Sequence, residues 1–254
     1  MSDAVTYEVA DGIATITINE PESRNALSPA VREGLREAFR RLNDDPRARV
    51  GILTGAGDHA FCAGGDLNDM TNSTLRAVPP DYIPIPGRNM RVDKPWIAAV
   101  NGYAVGGGVL YTLVADLAIA ADTARFVMPE AKVGRGAPWS VGLIHQLPRK
   151  VWFEMAVTGD TVDAPRAREI GLVNHVVPAA ELAAAARELA AKVVRAAPLT
   201  VSATLKMVRA STEMGQTAAW DTADEIFSHV YVSEDALEGP RAWVEKRRPV
   251  WKGR

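Results

Sequence analysis

Three short segments of this chain hold residues whose types and spacing could do chemistry. The first is Ala60-Phe61-Cys62-Ala63-Gly64-Gly65-Asp66-Leu67. The second is Ala99-Val100-Asn101-Gly102-Tyr103-Ala104-Val105-Gly106-Gly107-Gly108, and the third is Phe126-Val127-Met128-Pro129-Glu130-Ala131-Lys132-Val133-Gly134. Glycines in the first two let backbone approach a ligand with no Cβ in the way. The N–H groups that open a helix have no intrahelical acceptor and lie at the positive end of its dipole. Two such groups converging on one oxygen make an oxyanion hole, and losing one donor from such a hole raises a barrier by about 3–4 kcal/mol. Glu130 follows a proline in a largely apolar stretch, where burial would raise its pKa and make it a usable base.

Each signal also has a plainer reading. Glycine clusters at turns mark tight packing, and a lone glutamate after a proline is commonly a solvated loop charge. Asp116, in apolar surroundings, reads as a buried hydrogen-bonding residue. Cys62 reads as a small core residue, since no histidine is placed to activate it. His145, Trp139 and Trp96 read as packing or pocket wall.

Other chemistries lack their motifs. The glycines give neither G-x-G-x-x-G nor G-x-x-x-x-G-K-[ST], and no G-x-S-x-G occurs. The histidines at 59, 145, 175 and 229 lack ligand spacing, and one cysteine cannot complete a zinc site. Asp66-Leu67-Asn68-Asp69 hints at a calcium loop, but its twelfth position is Ala77 rather than glutamate. Neither a metal nor a nicotinamide is expected.

The elements that must position the three segments follow from periodicity. Val5 to Val9 and Ile13 to Ile18 flank Asp11-Gly12, a hairpin signal. Ser28-Pro29 reads as an N-cap followed by a first-turn proline, opening an amphipathic helix over 29–43. Val50 to Thr54, Trp96 to Val100 and Leu117 to Ala120 read as short buried strands, and Gly106 to Ala115 as a glycine-opened helix. Residues 70–93, polar and proline-rich, read as a loop or short helices outside the core. A helix begun near Asp163 ends at Gly171, and Leu172 to Val177 is the last strand. From Pro178 the pattern is helical only, with further starts at Pro198 and Ser233. The alternation of strands and helices implies an α/β core. A helical tail of this kind packs on its own core or on a neighbouring subunit.

Bulk properties narrow the partners. The 254 residues are 47% hydrophobic and 24% charged, enough for one large domain or a core with a smaller appendage. A formal charge of -2 points to neither nucleic acid nor an anionic membrane. A single cysteine excludes an intrachain disulfide and fits a reducing compartment. No signal peptide or membrane span is apparent, so a soluble cytoplasmic protein is expected.

Taken in order, the three segments resemble the enoyl-CoA hydratase/isomerase, or crotonase, family. The resemblance continues through Arg24-Asn25-Ala26-Leu27, Thr158-Gly159-Asp160, Gly171-Leu172-Val173-Asn174 and Val176-Val177-Pro178 to Glu245-Lys246-Arg247-Arg248-Pro249-Val250-Trp251. It implies a spiral of ββα units over residues 1–195 and a C-terminal helical region, 196–254, that builds homotrimers, often stacked as hexamers. It also implies a coenzyme A thioester as substrate, with no permanently bound cofactor. By motif position, the oxyanion donors are the N–H groups of Gly65 and Gly107. Arg24, Ala26, Ala63, Asp66 and Leu67 lie along the coenzyme A arm, and Leu110, Pro129 and Trp139 also contact substrate. Lys246 or Arg247 reaches a phosphate.

The sequence departs from the hydratase pattern at one telling position. Hydratases of this family carry two catalytic glutamates; the second matches Glu130, but the first position is Leu110. Leucine can neither activate water nor relay a proton, whereas one carboxylate suffices to shift a double bond. The pattern is similar to the 3-enoyl to 2-enoyl-CoA isomerase branch. Pro138-Trp139 also stands where hydratases have a glycine-rich turn. The tail SEDALEGPRAWVEKRRPVWKGR resembles the carnitinyl-CoA dehydratase group, which keeps the first glutamate. Two alternatives stay open: a hydratase using Asp66, Asp69, Tyr82 or Tyr103 as its second acid, and a non-catalytic acyl-CoA-binding protein.

Overall fold

The computed structural model describes residues 3–66 and 79–254. β1 (Val5–Ala10) and β2 (Ile13–Ile18) form the expected antiparallel hairpin, turned at Asp11 and Gly12, both with positive φ. α1 (Pro29–Asp44) opens as its sequence predicts: the Ser28 hydroxyl accepts from the Val31 N–H at 3.2 Å, and Pro29 supplies a first-turn residue that needs no acceptor.

β3 (Val50–Gly55), β5 (Trp96–Val100), β7 (Leu117–Ala121) and β10 (His175–Val177) extend the hairpin into a six-stranded sheet of order β1-β2-β3-β5-β7-β10. Every pairing beyond the hairpin is parallel. A second sheet, of order β4-β6-β8-β9, takes β4 (Ala60–Cys62), β6 (Tyr103–Val105), β8 (Arg125–Val127) and β9 (Val162–Asp163). Consecutive strands, β3 then β4, β5 then β6, β7 then β8, alternate between the sheets. Each turn of the chain therefore adds one strand to each, which is the expected spiral; β5, β6 and α2 (Gly107–Val114) make one complete ββα unit. These second-sheet strands are two or three residues long, too short to leave an alternation that sequence reading could find.

Two apolar clusters hold the large sheet. Phe39, Leu35, Leu42, Leu53, Trp96 and Ala98 belong to one, on the α1 side. Ile13, Val50, Ile52, Ile97, Ala99 and Ile119 face Leu182, Ala186 and Ala190 of α6 (Leu182–Val194) in the other. With both faces covered, the parallel strands read as continuous apolar runs. Asparagine side chains, that of Asn25 fully buried, pin the corners where backbone leaves the sheet. Asn25 Nδ2 donates to the carbonyls of Ala56 (3.0 Å) and Ala60 (2.7 Å), Asn101 Nδ2 to Gly57 (2.9 Å), and Asn174 Oδ1 accepts from Ala118 (2.8 Å).

Some expectations shift. The last strand covers only His175–Val177, because Asn174 turns its side chain into the β7 ladder. Residues 70–78 lie outside the described residues; within 79–93, Ile85 and Val92 are buried, so that stretch joins the core. The Tyr111 hydroxyl donates to the Pro84 carbonyl at 3.0 Å and ties it to α2. α3 (Leu143–Gln146) and α4 (Arg149–Thr158) follow β8, and α5 (Ala164–Glu169) is capped by Asp163. The tail folds as α7 (Pro198–Ser211), α8 (Gln216–Tyr231) and α9 (Glu234–Val244), the last capped by Ser233 as predicted. Arg209 of α7 donates to the Val92 carbonyl (2.6 Å) and to Asp116 (3.4 Å), fastening that helix to the sheet. Among the described residues no helix is long and apolar enough to cross a membrane.

Candidate active site

The first glycine segment is aimed by the turn before α1. Arg24 and Asn25 both adopt left-handed backbone, φ 55° and 56°, and the Asn25 side chain repays that strain with its buried hydrogen bonds. The turn lays Leu27 beside Gly65, with the Leu27 N–H donating to Gly64 (2.7 Å) and the Ala63 N–H to Arg24 (3.1 Å).

Gly64 and Gly107 then meet backbone to backbone. A methyl group on Gly64, whose φ is +84°, would lie 2.6 Å from the Val105 carbonyl oxygen and 3.3 Å from the Gly107 nitrogen. One on Gly107 would lie 2.5 Å from Leu27 Cδ1. The two glycine loops are thus in contact because neither residue has a side chain. The first helical bond of α2 runs from the Leu110 N–H to Gly106 (3.0 Å), so Gly107 lies ahead of the ladder. Among the described residues, the N–H groups of Gly65 and Gly107 have no acceptor within the protein.

Glu130 enters from β8. Pro129 opens a tight turn in which Lys132 donates to Pro129 (2.9 Å) and Arg135 to Glu130 (2.9 Å). The carboxylate lies over the start of α2: a methyl group on Gly106, φ +48°, would sit 3.0 Å from Glu130 Oε1. Oε2 is buried with no hydrogen-bond partner among the described residues. Burial raises the pKa of Glu130, partly offset by its own backbone N–H and by the Trp139 side chain. A half-buried carboxylate with one oxygen unclaimed suits proton transfer.

Leu110, three residues along α2 from Gly107, is 1% exposed. It lines a cavity of about 1330 Å³ between α2, the 138–142 turn and α7, together with Leu113, Trp139, Val141, Gln146 and Arg209. Glu130 is not part of that lining. The expected second carboxylate position is therefore an apolar wall.

The structure separates the remaining candidates. Arg24 is exposed, Ala26, Ala63 and Asp66 are partly buried beside Gly65, and Leu67 and Asp69 lie outside the described residues. Arg247 forms a bidentate pair with Glu238, at 2.5 and 2.9 Å, and also bonds Glu245, so its guanidinium is committed within the chain; Lys246 is exposed. The Tyr82 hydroxyl accepts from Arg32 at 2.8 Å, and Tyr103 is exposed. Asp116 is the hydrogen-bonding residue expected, accepting from the Trp96 N–H at 2.9 Å, with its pKa raised by burial. Cys62 is a fully buried core thiol, its pKa pushed up to about 12 by desolvation. Trp96 is core packing and Trp139 cavity wall, but His145 is exposed on the short α3 helix and is neither. Among the described residues no group of three or more His, Cys, Asp or Glu side chains could hold a metal ion.

Sequence reading missed Leu113 and Arg209 as cavity wall. Leu113 shares the face of α2 with Leu110 at helical spacing, a usable signal. Arg209 reaches the cavity only because α7 folds back over the sheet.

Residues 8–254 match the family model described as enoyl-CoA hydratase/isomerase. A carnitinyl-CoA dehydratase of Salmonella typhi is 40% identical over 267 aligned positions, covering all of both chains. The crystal structure of an enoyl-CoA hydratase from Mycobacterium tuberculosis superposes with a TM-score of 0.91 at 36% identity, covering all of both chains. That of an enoyl-CoA hydratase from Mycobacterium marinum does so with a TM-score of 0.90 at 35% identity, again over all of both.

Proposed function

The chain belongs to the enoyl-CoA hydratase/isomerase family, and from that premise we propose that it shifts the double bond of an enoyl-CoA thioester, with Glu130 as the acid–base group. The thioester carbonyl accepts from the N–H groups of Gly65 and Gly107. Glu130 removes a proton alpha to the carbonyl, the two donors hold the dienolate oxygen, and Glu130 returns the proton at the gamma carbon. The observation that carries this reading is a half-buried carboxylate with one unclaimed oxygen over Gly106 at the start of α2, together with a buried leucine at position 110 where a second carboxylate would stand. Preorganised N–H donors supply the charge stabilisation, and burial sets the basicity.

The coenzyme A arm runs past Arg24, Ala26, Ala63, Asp66 and Leu67, and coenzyme A enters as part of the substrate rather than as a resident cofactor. Leu110, Pro129 and Trp139 border the acyl group. The chain works in the cytoplasm without nucleic-acid or membrane partners. Residues 1–195 form the catalytic core, while 196–254 join copies into trimers or hexamers. One observation favours a second reading, hydration or dehydration: the relative cited above is named a dehydratase.

The test is mass spectrometry of 3-enoyl- and 2-enoyl-CoA thioesters incubated with the protein in heavy water. Deuterium uptake with a moved double bond and no added water is the expected result; added water supports the second reading. Glu130→Gln lowers the isomerisation rate by about 10²–10⁴-fold, the usual worth of a general base, with thioester binding retained. Turnover that survives this substitution removes Glu130 from the mechanism.

A further inference from the structure

The turn that carries Glu130 is held from two sides. On one, the Gly106 N–H donates to the Val127 carbonyl at 2.9 Å and ties the end of β8 to the start of α2. On the other lies the Gly159-Asp160 turn between α4 and β9. β8 and β9 pair antiparallel, Phe126 opposite Val162, so the residues after β8 run beside those before β9. Gly159 has left-handed backbone, φ 61°, and a methyl group there would lie 3.0 Å from the Met128 carbonyl oxygen and 3.1 Å from Lys132 Cδ. The missing side chain lets the Lys132 stem lie across Gly159. The Lys132 ammonium then donates to the Gly159 carbonyl at 2.9 Å and to Asp160 Oδ1 at 3.1 Å.

We propose that Lys132 is a positioning residue for Glu130: clasped to Gly159 and Asp160, it holds the 129–135 turn so that the carboxylate stays over Gly106. The inference rests on the reading of Glu130 as the acid–base group. Glu130 Oε2 is buried with no hydrogen-bond partner among the described residues, so the backbone of the turn must supply the aim that a bond to this oxygen does not. Inside the turn, the Lys132 N–H donates to Pro129 (2.9 Å), the Val133 N–H to Glu130 (3.2 Å) and the Arg135 N–H to Glu130 (2.9 Å). Those bonds are local and move with the turn as one body, whereas the clasp joins that body to the end of α4. Proton transfer at carbon depends on such placement, since a shift of about 1 Å can cost about 10²-fold in rate. The clasp works by geometry rather than by charge, because no charged side chain among the described residues perturbs Glu130. Its ion pair is solvent-exposed, 53% at Lys132 and 76% at Asp160, so it contributes little to overall stability and the fold survives its loss.

The experiment compares wild type, Lys132→Met, Lys132→Arg and Gly159→Ala on the enoyl-CoA thioester that wild type turns over, with thermal unfolding as the check on folding. Lys132→Met removes the donor and keeps an apolar stem. It lowers kcat and kcat/KM together by about 10–10²-fold with KM unchanged, the mark of an effect on the transition state alone. The acidic limb of its pH profile stays at the wild-type position. Lys132→Arg still reaches the Gly159 carbonyl and recovers most of the rate. Gly159→Ala keeps the lysine and its charge but presses a methyl group on the Met128 carbonyl, and it lowers kcat in the same way. Wild-type kcat in either folded variant, Lys132→Met or Gly159→Ala, overturns the inference. So does a loss confined to KM, a displaced acidic limb, or an arginine variant no faster than Lys132→Met. Turnover that persists in Glu130→Gln overturns the reading of Glu130 instead, so the two failures are distinguishable.

Discussion

α1 and α8 are both sixteen residues long, and they satisfy their apolar faces in opposite ways. α1 buries Val31, Leu35, Ala38, Phe39 and Leu42 completely, and Ser28 caps it. α8 has no buried residue and no side-chain cap, and leaves Trp220 67% and Tyr231 77% exposed. α9 continues the pattern, with Trp243 86% and Val244 79% exposed. What anchors the end of the chain is polar: Asp235 accepts from the N–H groups of Lys252 (2.7 Å) and Gly253 (2.9 Å), and the Trp251 indole N–H donates to Arg195 (2.8 Å). Both regions are helical. The difference is that a sheet lies under α1, while Trp220, Tyr231 and Trp243 stay largely uncovered by the described residues. Exposed apolar surface of this extent marks an interaction site, which supports assembly through residues 196–254.

Three substitutions test that contrast. Phe39→Ala removes a ring packed at 5.1 Å from Trp96 and should cost about 3–5 kcal/mol of stability in urea denaturation; a loss no larger than a surface substitution gives would mean that α1 is not part of the main core. Ser28→Ala deletes the α1 cap and should cost about 1 kcal/mol by the same assay. Trp243→Lys should change the stability of a single chain by no more than about 0.5 kcal/mol, yet lower the mass seen by light scattering to that of one chain. An unchanged mass would show that this face does not join copies.

Much of the core was legible because its elements are local. The Asp11-Gly12 hairpin, the Ser28-Pro29 helix start and the Trp96 to Val100 strand each carry their signal within a few residues. The second sheet was not legible: β4, β6 and β8 are three residues each and exist because neighbouring turns of the spiral pair with them. Within the candidate site, Gly64, Gly65, Gly107 and Glu130 stood out by type. Arg247, which with Lys246 was one of two residues expected to reach a phosphate, forms a bidentate pair that lowers the Glu238 pKa to about 2, a contact set by how the chain end folds back.

Residue type and order along the chain therefore determined the chemical parts: backbone free of Cβ in two loops, one carboxylate after a proline, and leucine rather than glutamate at position 110. Tertiary structure decided which parts touch. Sheet register and the spiral bring Gly64 against Gly107 and Glu130 over Gly106. Local sequence encodes backbone preference within a few residues, but contact between distant segments arises only when the strands that carry them pair and the core closes.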